Sequence, residues 1–195
     1  MKRMLAGALT LLLLSGCARA EEPSLAEKLQ TRYAELPEYR AAVTVTLPRG
    51  EERLRYVLDV TGSADMTRVT VREPEMLALV TAELTGKELA LSYDGMTFDA
   101  GSAAPGLSAA NCVPLLLRAA AEGFPVAENR ESFRGRNALR LELESEETGE
   151  TLLWTVWFGE ADEPLCAEAA QDGKIILTAE FTNFEFGGIL AETKE

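Results

Sequence analysis

The sequence predicts a mainly β fold with two helices, in which one strongly curved antiparallel sheet wraps around the second helix. Apolar and polar residues alternate with a period of two over most of residues 39–98 and 131–186, which indicates strands with one buried face. Brief turns separate these strands, as in an antiparallel meander. A sheet this long must curl to bury its apolar face, and the apolar segment 108–122 supplies a helix for it to cover.

The first helix is predicted over about residues 25–36. Ser24 and Glu27 fit a capping box, in which the serine caps the helix and the glutamate reaches back to it. Pro37 ends the run. The apolar stripe of this helix consists of Leu25, Leu29, Tyr33 and Leu36.

Six strands are predicted between the two helices. Asp94-Gly95 between two of them is a signal for a tight hairpin. Pro74 interrupts the alternation and separates the third strand from the fourth. The six strands are predicted near 43–47, 53–60, 68–72, 77–84, 88–93 and 96–98.

The second helix is predicted over 108–122, after a loop rich in Gly, Ala and Pro at 99–107. Ser108 or Asn111 would cap it, with Pro114 tolerated in its first turn, and Gly123 ends it. Because this helix is apolar around most of its circumference, it must be covered by other elements.

Five further strands are predicted after the second helix. In the last of them, the apolar positions change parity between Phe181 and Phe184, so we expect a β-bulge near Thr182-Asn183. Turns are predicted at 135–137 and 147–150. The five strands are predicted at 132–136, 138–144, 151–158, 164–170 and 174–186, with Ile175, Leu177, Ala179 and Phe181 on one face of the last.

The first sixteen residues have the features of a bacterial export signal. Lys2 and Arg3 form a short basic region, and residues 4–14 form an apolar run. This run is too short for a permanent membrane span, which needs about 20 residues. The sequence that follows, Leu14-Ser15-Gly16-Cys17, resembles the lipobox of bacterial lipoproteins.

The lipobox resemblance implies cleavage between Gly16 and Cys17 and attachment of diacylglycerol to the Cys17 sulfur. We therefore expect a signal peptide over 1–16, a lipidated tether over 17–23 and a single half-barrel domain over 24–195. The protein would be anchored by lipid on the extracytoplasmic face of the cell membrane.

The composition narrows the classes of function. The mature chain would carry 17 basic and 32 acidic residues, a net charge of about −15, which opposes binding to nucleic acid. The chain contains no histidine, so the usual general base, Ser-His and Cys-His nucleophiles and imidazole metal ligands are excluded. We expect no enzyme activity, no metal site and no cofactor.

The order of elements resembles the Lol-type lipoprotein-carrier superfamily, whose members share an unclosed β half-barrel capped by helices. Three segments carry the resemblance: Glu88–Gly95, then Trp154–Phe158 leading into Glu163-Pro164-Leu165, and Phe181–Phe186. The lipid-anchored germination lipoproteins of spore-forming Firmicutes look most similar. The resemblance implies a non-catalytic role in binding a lipid or a protein, including support of a cell-wall (cortex) amidase.

A cavity between the sheet and the second helix would bind an acyl group or another hydrophobic ligand, although plain core packing would give the same periodicity. The candidate lining residues are large and apolar. They are Leu54, Tyr56, Leu58, Val69, Val71, Leu91, Leu115, Leu116, Trp154, Val156 and Phe158.

Other polar groups have a structural interpretation beside a functional one. Cys112 and Cys166 would either form a disulfide or remain two buried free thiols. The disulfide would close a long loop and stabilise the fold by roughly 4 kcal/mol. The arginines on neighbouring strands would form either a docking stripe or cross-strand ion pairs with acids. Acidic clusters at predicted turns are best explained as solvated. The arginines are Arg53, Arg55, Arg68 and Arg72, and the acids are Glu73, Glu75, Glu144, Glu146, Glu147, Asp162 and Glu163.

The leading hypothesis is a lipid-anchored binding or accessory module that works through its concave face or an exposed edge strand. One alternative is a carrier for lipid or lipoprotein cargo, although a tether at Cys17 argues against shuttling between membranes. Another is a cell-wall or lipid-modifying enzyme that uses carboxylates alone. Because an unclosed sheet leaves free edges, a homodimer is a further expectation.

Replacing Cys17 by Ala should abolish lipidation, because only a thiol forms the thioether. We expect the variant to incorporate no labelled palmitate and to leave the membrane fraction. Palmitate incorporation and membrane association equal to those of the unmodified protein would contradict the anchor.

Overall fold

The computed structural model describes residues 23–63, 65–86, 88–102, 106–147 and 149–187. The predicted signal, Cys17 and residues 18–22 of the tether lie outside this part of the chain. Two α-helices are described, α1 (Leu25–Ala34) and α2 (Cys112–Glu122), with a 3₁₀ helix at Glu75–Leu77. The strands are β1 (Glu38–Arg49), β2 (Glu52–Ser63), β3 (Met66–Glu73), β4 (Thr81–Thr85), β5 (Glu88–Tyr93), β6 (Met96–Ser102), β7 (Phe124–Phe133), β8 (Arg136–Glu147), β9 (Glu150–Phe158), β10 (Pro164–Gln171) and β11 (Lys174–Phe186).

All described strands belong to one antiparallel sheet of eleven strands, in the order β6-β5-β4-β3-β2-β1-β11-β10-β9-β8-β7. The first and last strands of the chain, β1 and β11, pair at the centre and join the two halves. The sheet does not close, so β6 and β7 are its free edges. The predicted fold class, with six strands before α2 and five after it, is confirmed.

The core lies between the inner face of the sheet and the two helices, which pack against each other. Leu29 of α1, Leu116 of α2 and Trp154 and Phe158 of β9 are each at most 2% exposed. Burying side chains of this size supplies about 1.5–3 kcal/mol each. The expectation that the sheet and its neighbours cover α2 is therefore confirmed.

Several local predictions are confirmed. Ser24 and Glu27 form the capping box of α1, although the helix ends at Ala34. Asp94 and Gly95 form the hairpin turn with φ angles of 48° and 74°, which suits glycine best. Thr182 is the extra residue of a β-bulge, because Ala42 pairs with Asn183 whereas Val43 pairs with Phe181.

The predicted strand at 77–84 is wrong in its first half. The chain after Pro74 forms a 3₁₀ turn, and Leu79 takes a left-handed φ of 71°, which breaks the extended conformation. The strand β4 begins only at Thr81. The predicted loop at 99–107 also begins too early, because β6 continues to Ser102 by pairing with Glu88.

The second helix begins at Cys112 and not at residue 108, so Asn111, one of the two predicted caps, takes the N-cap position. Asn111 stands at the N-cap, but its side chain accepts a hydrogen bond from the Ser108 backbone N–H at 2.7 Å and donates one to the Gly106 carbonyl at 2.8 Å. These bonds hold residues 106–111 in a turn, so the helical conformation starts at Cys112.

The strand predicted at 132–136 begins much earlier, at Phe124, directly after α2. Its turn lies at Arg134-Gly135 rather than at 135–137, and β8 starts at Arg136. Most of β7 is exposed because it is an edge strand, so it has no alternation of apolar and polar residues to reveal it.

The prediction that Ile175 shares a face with Leu177 is wrong. Ile175 lies on the other face and is 48% exposed. Ala169 pairs with Leu177 and Ala170 with Ile175, so Ile176 is an extra residue that reverses the alternation. Ile176 packs against the core in its place.

Tyr39 fixes the packing at one end of the sheet. Its ring stacks on Phe184 with centroids 6.0 Å apart, and its hydroxyl lies 3.2 Å from the buried Thr67 hydroxyl. A Cβ atom on Gly62, which pairs with Tyr39, would lie 2.2 Å from the Tyr39 ring. Glycine at position 62 is therefore required by the ring above it.

Replacing Gly62 by Ala should lower the free energy of unfolding by about 1–3 kcal/mol, because the added methyl group overpacks this contact. In a Tyr39→Ala background, the same substitution should cost almost nothing, since the clash is gone. Urea unfolding of the four proteins of this double-mutant cycle measures the coupling. Equal costs in both backgrounds would contradict the proposed contact.

Candidate functional site

One part of the inner face of the sheet is apolar but uncovered. A single cross-strand row runs through Val60, Val69, Ala82, Leu91 and Phe98. The exposed fraction of these side chains rises along the row from 0% to 2%, 7%, 36% and 56%. Along this row, the cover over the inner face therefore ends between β4 and β5.

The next row ends in the same way. Tyr93 pairs with Met96 across the β5–β6 hairpin, and these side chains are 51% and 54% exposed. Both lie on the face of Leu91 and Phe98, because alternate residues of a strand share a face. These four side chains, Leu91, Tyr93, Met96 and Phe98, form what we call the open wall.

The helices leave the open wall uncovered because they lie over the other half of the sheet. Helix α2 packs on β8, and α1 packs on α2 and β7. Helix α1 is held there by the Tyr33 hydroxyl, which donates to the Asp162 carbonyl at 2.8 Å, and by the Arg32–Asp162 ion pair. Burial raises the pKa of Tyr33 far above its ordinary value, so this hydroxyl stays a donor.

The segment between β3 and β4 adds apolar groups at one end of the open wall. Met76 and Leu79 are 85% and 65% exposed, and the Val71 N–H donates to the Val80 carbonyl at 2.9 Å. Because Thr81 pairs with Ser92, residues before Thr81 lie at the same end of the sheet as the β5–β6 hairpin. The wall therefore continues into an apolar rim.

The structure divides the residues proposed to line a cavity into two groups. Most belong to one packed core or lie against it, whereas Leu91 stands on the open wall. The indole N–H of Trp154 has no hydrogen-bond partner among the described residues, a cost of about 1–3 kcal/mol that core packing must offset. Leu58, Val69, Leu116, Trp154, Val156 and Phe158 are buried, and Leu54, Tyr56, Val71 and Leu115 are half-buried.

Sequence reasoning did not identify Tyr93, Met96 and Phe98 as site residues. A signal was present, since the Asp94-Gly95 turn places Tyr93 opposite Met96 and leaves Phe98 on the same face. What the sequence did not contain was the position of the helices, which decides whether that face is covered.

The outer face carries the charges, and arginines pair with acids there. Arg55 binds Glu73 at 2.7 Å and Arg68 binds Glu83 at 2.7 Å, whereas Arg72 binds Asp59 at 2.5 Å. The cross-strand interpretation is therefore correct for these three arginines. Arg53 lies beside them, opposite Pro48.

Acids from the predicted turn clusters also have arginine partners. Glu147 pairs with Arg118, Asp162 with Arg32 and Glu163 with Arg136. Within the described ranges, no three Asp, Glu, Cys or His side chains meet in an arrangement that would hold a metal ion.

A separate open depression of about 350 Å³ lies where β8, β11 and the loop before β10 meet. Arg136 and Glu163, which pair with each other, line it together with Asn183 and Phe181. Unlike the open wall, this depression includes charged and amide side chains beside its aromatic ring.

Cys112 and Cys166 are free thiols, so the disulfide alternative does not hold. Cys112 lies at the start of α2 and is 1% exposed, whereas Cys166 lies in β10 opposite Glu180 and is 3% exposed. Burial raises the pKa of Cys112 to about 12 and that of Cys166 to about 11. Both therefore remain protonated and unreactive at neutral pH.

No described helix has both the length and the hydropathy required for a membrane span.

Comparison with known proteins gives similarity of structure without similarity of sequence. No family model and no curated protein matches the chain. A DUF1329 family protein from Desulfovibrio piger is 10% identical, with a TM-score of 0.50 over 83% of this chain and 90% of that chain. A LolA superfamily protein from Nitrosomonas europaea is 10% identical, with a TM-score of 0.49 over 86% and 96%.

A third similar structure is the GerS lipoprotein of Clostridioides difficile, solved in complex with the CwlD amidase. The likeness covers 85% of this chain and 98% of that chain at 15% identity, with a TM-score of 0.43. Likenesses at such low identity concern the fold alone. The predicted fold, an unclosed antiparallel sheet wrapped around helices, is confirmed.

The buried thiols should make the fold sensitive to alkali. Above pH 9.0 the unfolded chain releases thiol protons that the folded chain keeps, so stability falls as pH rises. At about pH 10.5, Cys112 alone should account for roughly 2 kcal/mol of lost stability. Urea unfolding at neutral and alkaline pH should show a smaller loss for Cys112→Ala; an unchanged loss would contradict this account.

Proposed function

We propose that this chain is a non-catalytic, lipid-anchored binding protein of the extracytoplasmic face, and that the open wall is its binding surface. The exposure gradient from Val60 to Phe98 carries the proposal. An inner sheet face that is apolar along its length and covered over only part of it leaves room for an apolar ligand. The lipobox that ends at Cys17 supports the anchor.

The chemistry of the open wall favours an uncharged apolar ligand, such as an acyl chain or an apolar segment of a protein. The described positions of β4–β6 that face inwards carry no charged side chain. One of them is Met96, whose flexible thioether side chain adapts to ligands of different shapes. Tyr93 adds a hydroxyl at the end of the wall. The inward-facing residues are Ala82, Leu84, Leu89, Leu91, Tyr93, Met96 and Phe98.

Two narrower roles use the same surface. An accessory protein would hold its partner, such as a cell-wall amidase, against the wall, whereas a cargo carrier would bind and release lipid or lipoprotein acyl chains. The amidase role is motivated by the resemblance to germination lipoproteins. It predicts a germination defect when the gene is deleted in a spore-forming host, and normal germination would exclude it.

The open wall offers little to an enzyme that relies on carboxylates. Such an enzyme needs two acids that converge across a cleft. Glu73 on β3 and Glu83 on β4 point to the outer face and pair with Arg55 and Arg68. These pairs support a binding role over a catalytic one.

Displacement of a fluorescent fatty acid from the unanchored chain, residues 18–195, tests the proposal. Replacing both Leu91 and Phe98 by Ser should weaken binding about tenfold or more, since the lost apolar contacts are worth about 1–3 kcal/mol. Because both side chains are already exposed, the unfolding midpoint in urea should change little.

Phe124→Ser is the matched control, since Phe124 is an exposed phenylalanine on the opposite edge strand. It should leave the affinity unchanged. If the unmodified chain binds neither a fatty acid nor an apolar peptide, or if the control loses as much affinity as the wall variant, the open wall is not the binding surface.

A further inference from the structure

A second apolar surface lies at the other edge of the sheet. Phe124, Pro125 and Val126 are consecutive and exposed, with Phe124 at 70% and Val126 at 48%. Pro125 pairs with Leu143 and Ala127 with Glu142, so Val126 is an extra residue outside the ladder. Edge strands usually carry charges in such positions, and three exposed apolar residues in a row need a reason.

Helix α1 lies along the edge strand that carries this surface. The Ala26 N–H donates to the Glu128 carboxylate at 3.0 Å, and the Gln30 side-chain amide donates to the Gly123 carbonyl at 2.6 Å. The first turns of α1 therefore run along residues 123–128 of the edge. The chain that leads back to Cys17 leaves the domain beside Glu128, on the edge strand that carries Phe124–Val126.

The length of that chain limits how far the anchor can be from the edge. Only five residues, 18–22, lie between Cys17 and Pro23, and the six steps from one residue to the other span at most about 20 Å. A lipid on Cys17 would hold this edge of the sheet close to the bilayer.

We propose that Phe124, Pro125 and Val126 form the surface by which the anchored protein contacts the lipid bilayer. This inference rests on the lipid anchor of the proposed function. The partner is the neutral boundary between headgroups and acyl chains, where apolar side chains insert to about 5–10 Å. Attraction to anionic lipid plays no part, because the mature chain carries a net charge of about −15.

The tether makes so small a contact effective. Three exposed side chains are too few to bind a membrane from solution, but a lipid on Cys17 makes the contact intramolecular and raises its effective concentration. Because β7 and β6 are opposite edges of the sheet, the membrane contact and the open wall lie at opposite ends of the strand order.

Quenching of an introduced indole by brominated lipid tests this orientation. The lipidated protein, purified with its acyl chains, is reconstituted into phosphatidylcholine vesicles with or without dibrominated chains. The variant is Phe124→Trp, and the matched control is Thr97→Trp on the opposite edge strand, where Thr97 is exposed on the face away from the open wall. The unmodified protein supplies the background emission of Trp154 and Trp157.

We expect the indole at position 124 to lose about half of its emission in brominated vesicles, as a group at the acyl boundary should, and the one at position 97 to lose none. An unquenched indole at 124, or equal quenching at both positions, would overturn the inference. So would a protein whose mass shows no lipid. The fatty-acid assay on the unanchored chain measures ligand binding to the open wall without any membrane. The binding proposal and the membrane-contact proposal can therefore fail independently.

Discussion

Covering the inner face of the sheet is the constraint on which the rest of this structure depends. Eleven strands have ten spacings of about 4.8 Å between them, so the apolar face is about 48 Å wide. A helix with its side chains is only about 10 Å across. Two helices packed side by side can cover less than half of that width. Curling of the sheet reduces the uncovered part, and what remains exposed lies on β5 and β6.

The two halves of the sheet therefore have different roles. Trp154 and Phe158 in the C-terminal half lie under the helices and stabilise the fold, whereas Leu91 and Phe98 in the N-terminal half are exposed on the uncovered part of the inner face. The stability of the domain would come chiefly from the covered half. The uncovered half is then free to exchange solvent for a ligand without unfolding the protein.

The charges contribute in a different way. The pairs Arg55–Glu73, Arg68–Glu83 and Arg72–Asp59 lie on exposed parts of the surface, where each pair is worth only about 0–1 kcal/mol. They compensate part of the acidic surface and align neighbouring strands. Apolar burial, and not ion pairing, explains why the sheet adopts this curvature.

The sequence by itself determined the local elements, because their signals are short-range. Alternation marked β1–β3, the capping box marked α1, Asp94-Gly95 marked a hairpin and the change of parity near Thr182 marked a bulge. The same reasoning failed where neighbours override the local pattern. The edge strand β7 has no alternation, Leu79 breaks an apolar run, and Ile176 reverses the face of Ile175. Only the tertiary structure decided which half of the inner face the helices cover and that Cys112 and Cys166 stay apart. It also decided that the start of α1 lies against Glu128, on the edge strand that carries Phe124. These facts depend on contacts between residues far apart in the chain, and no local periodicity encodes them.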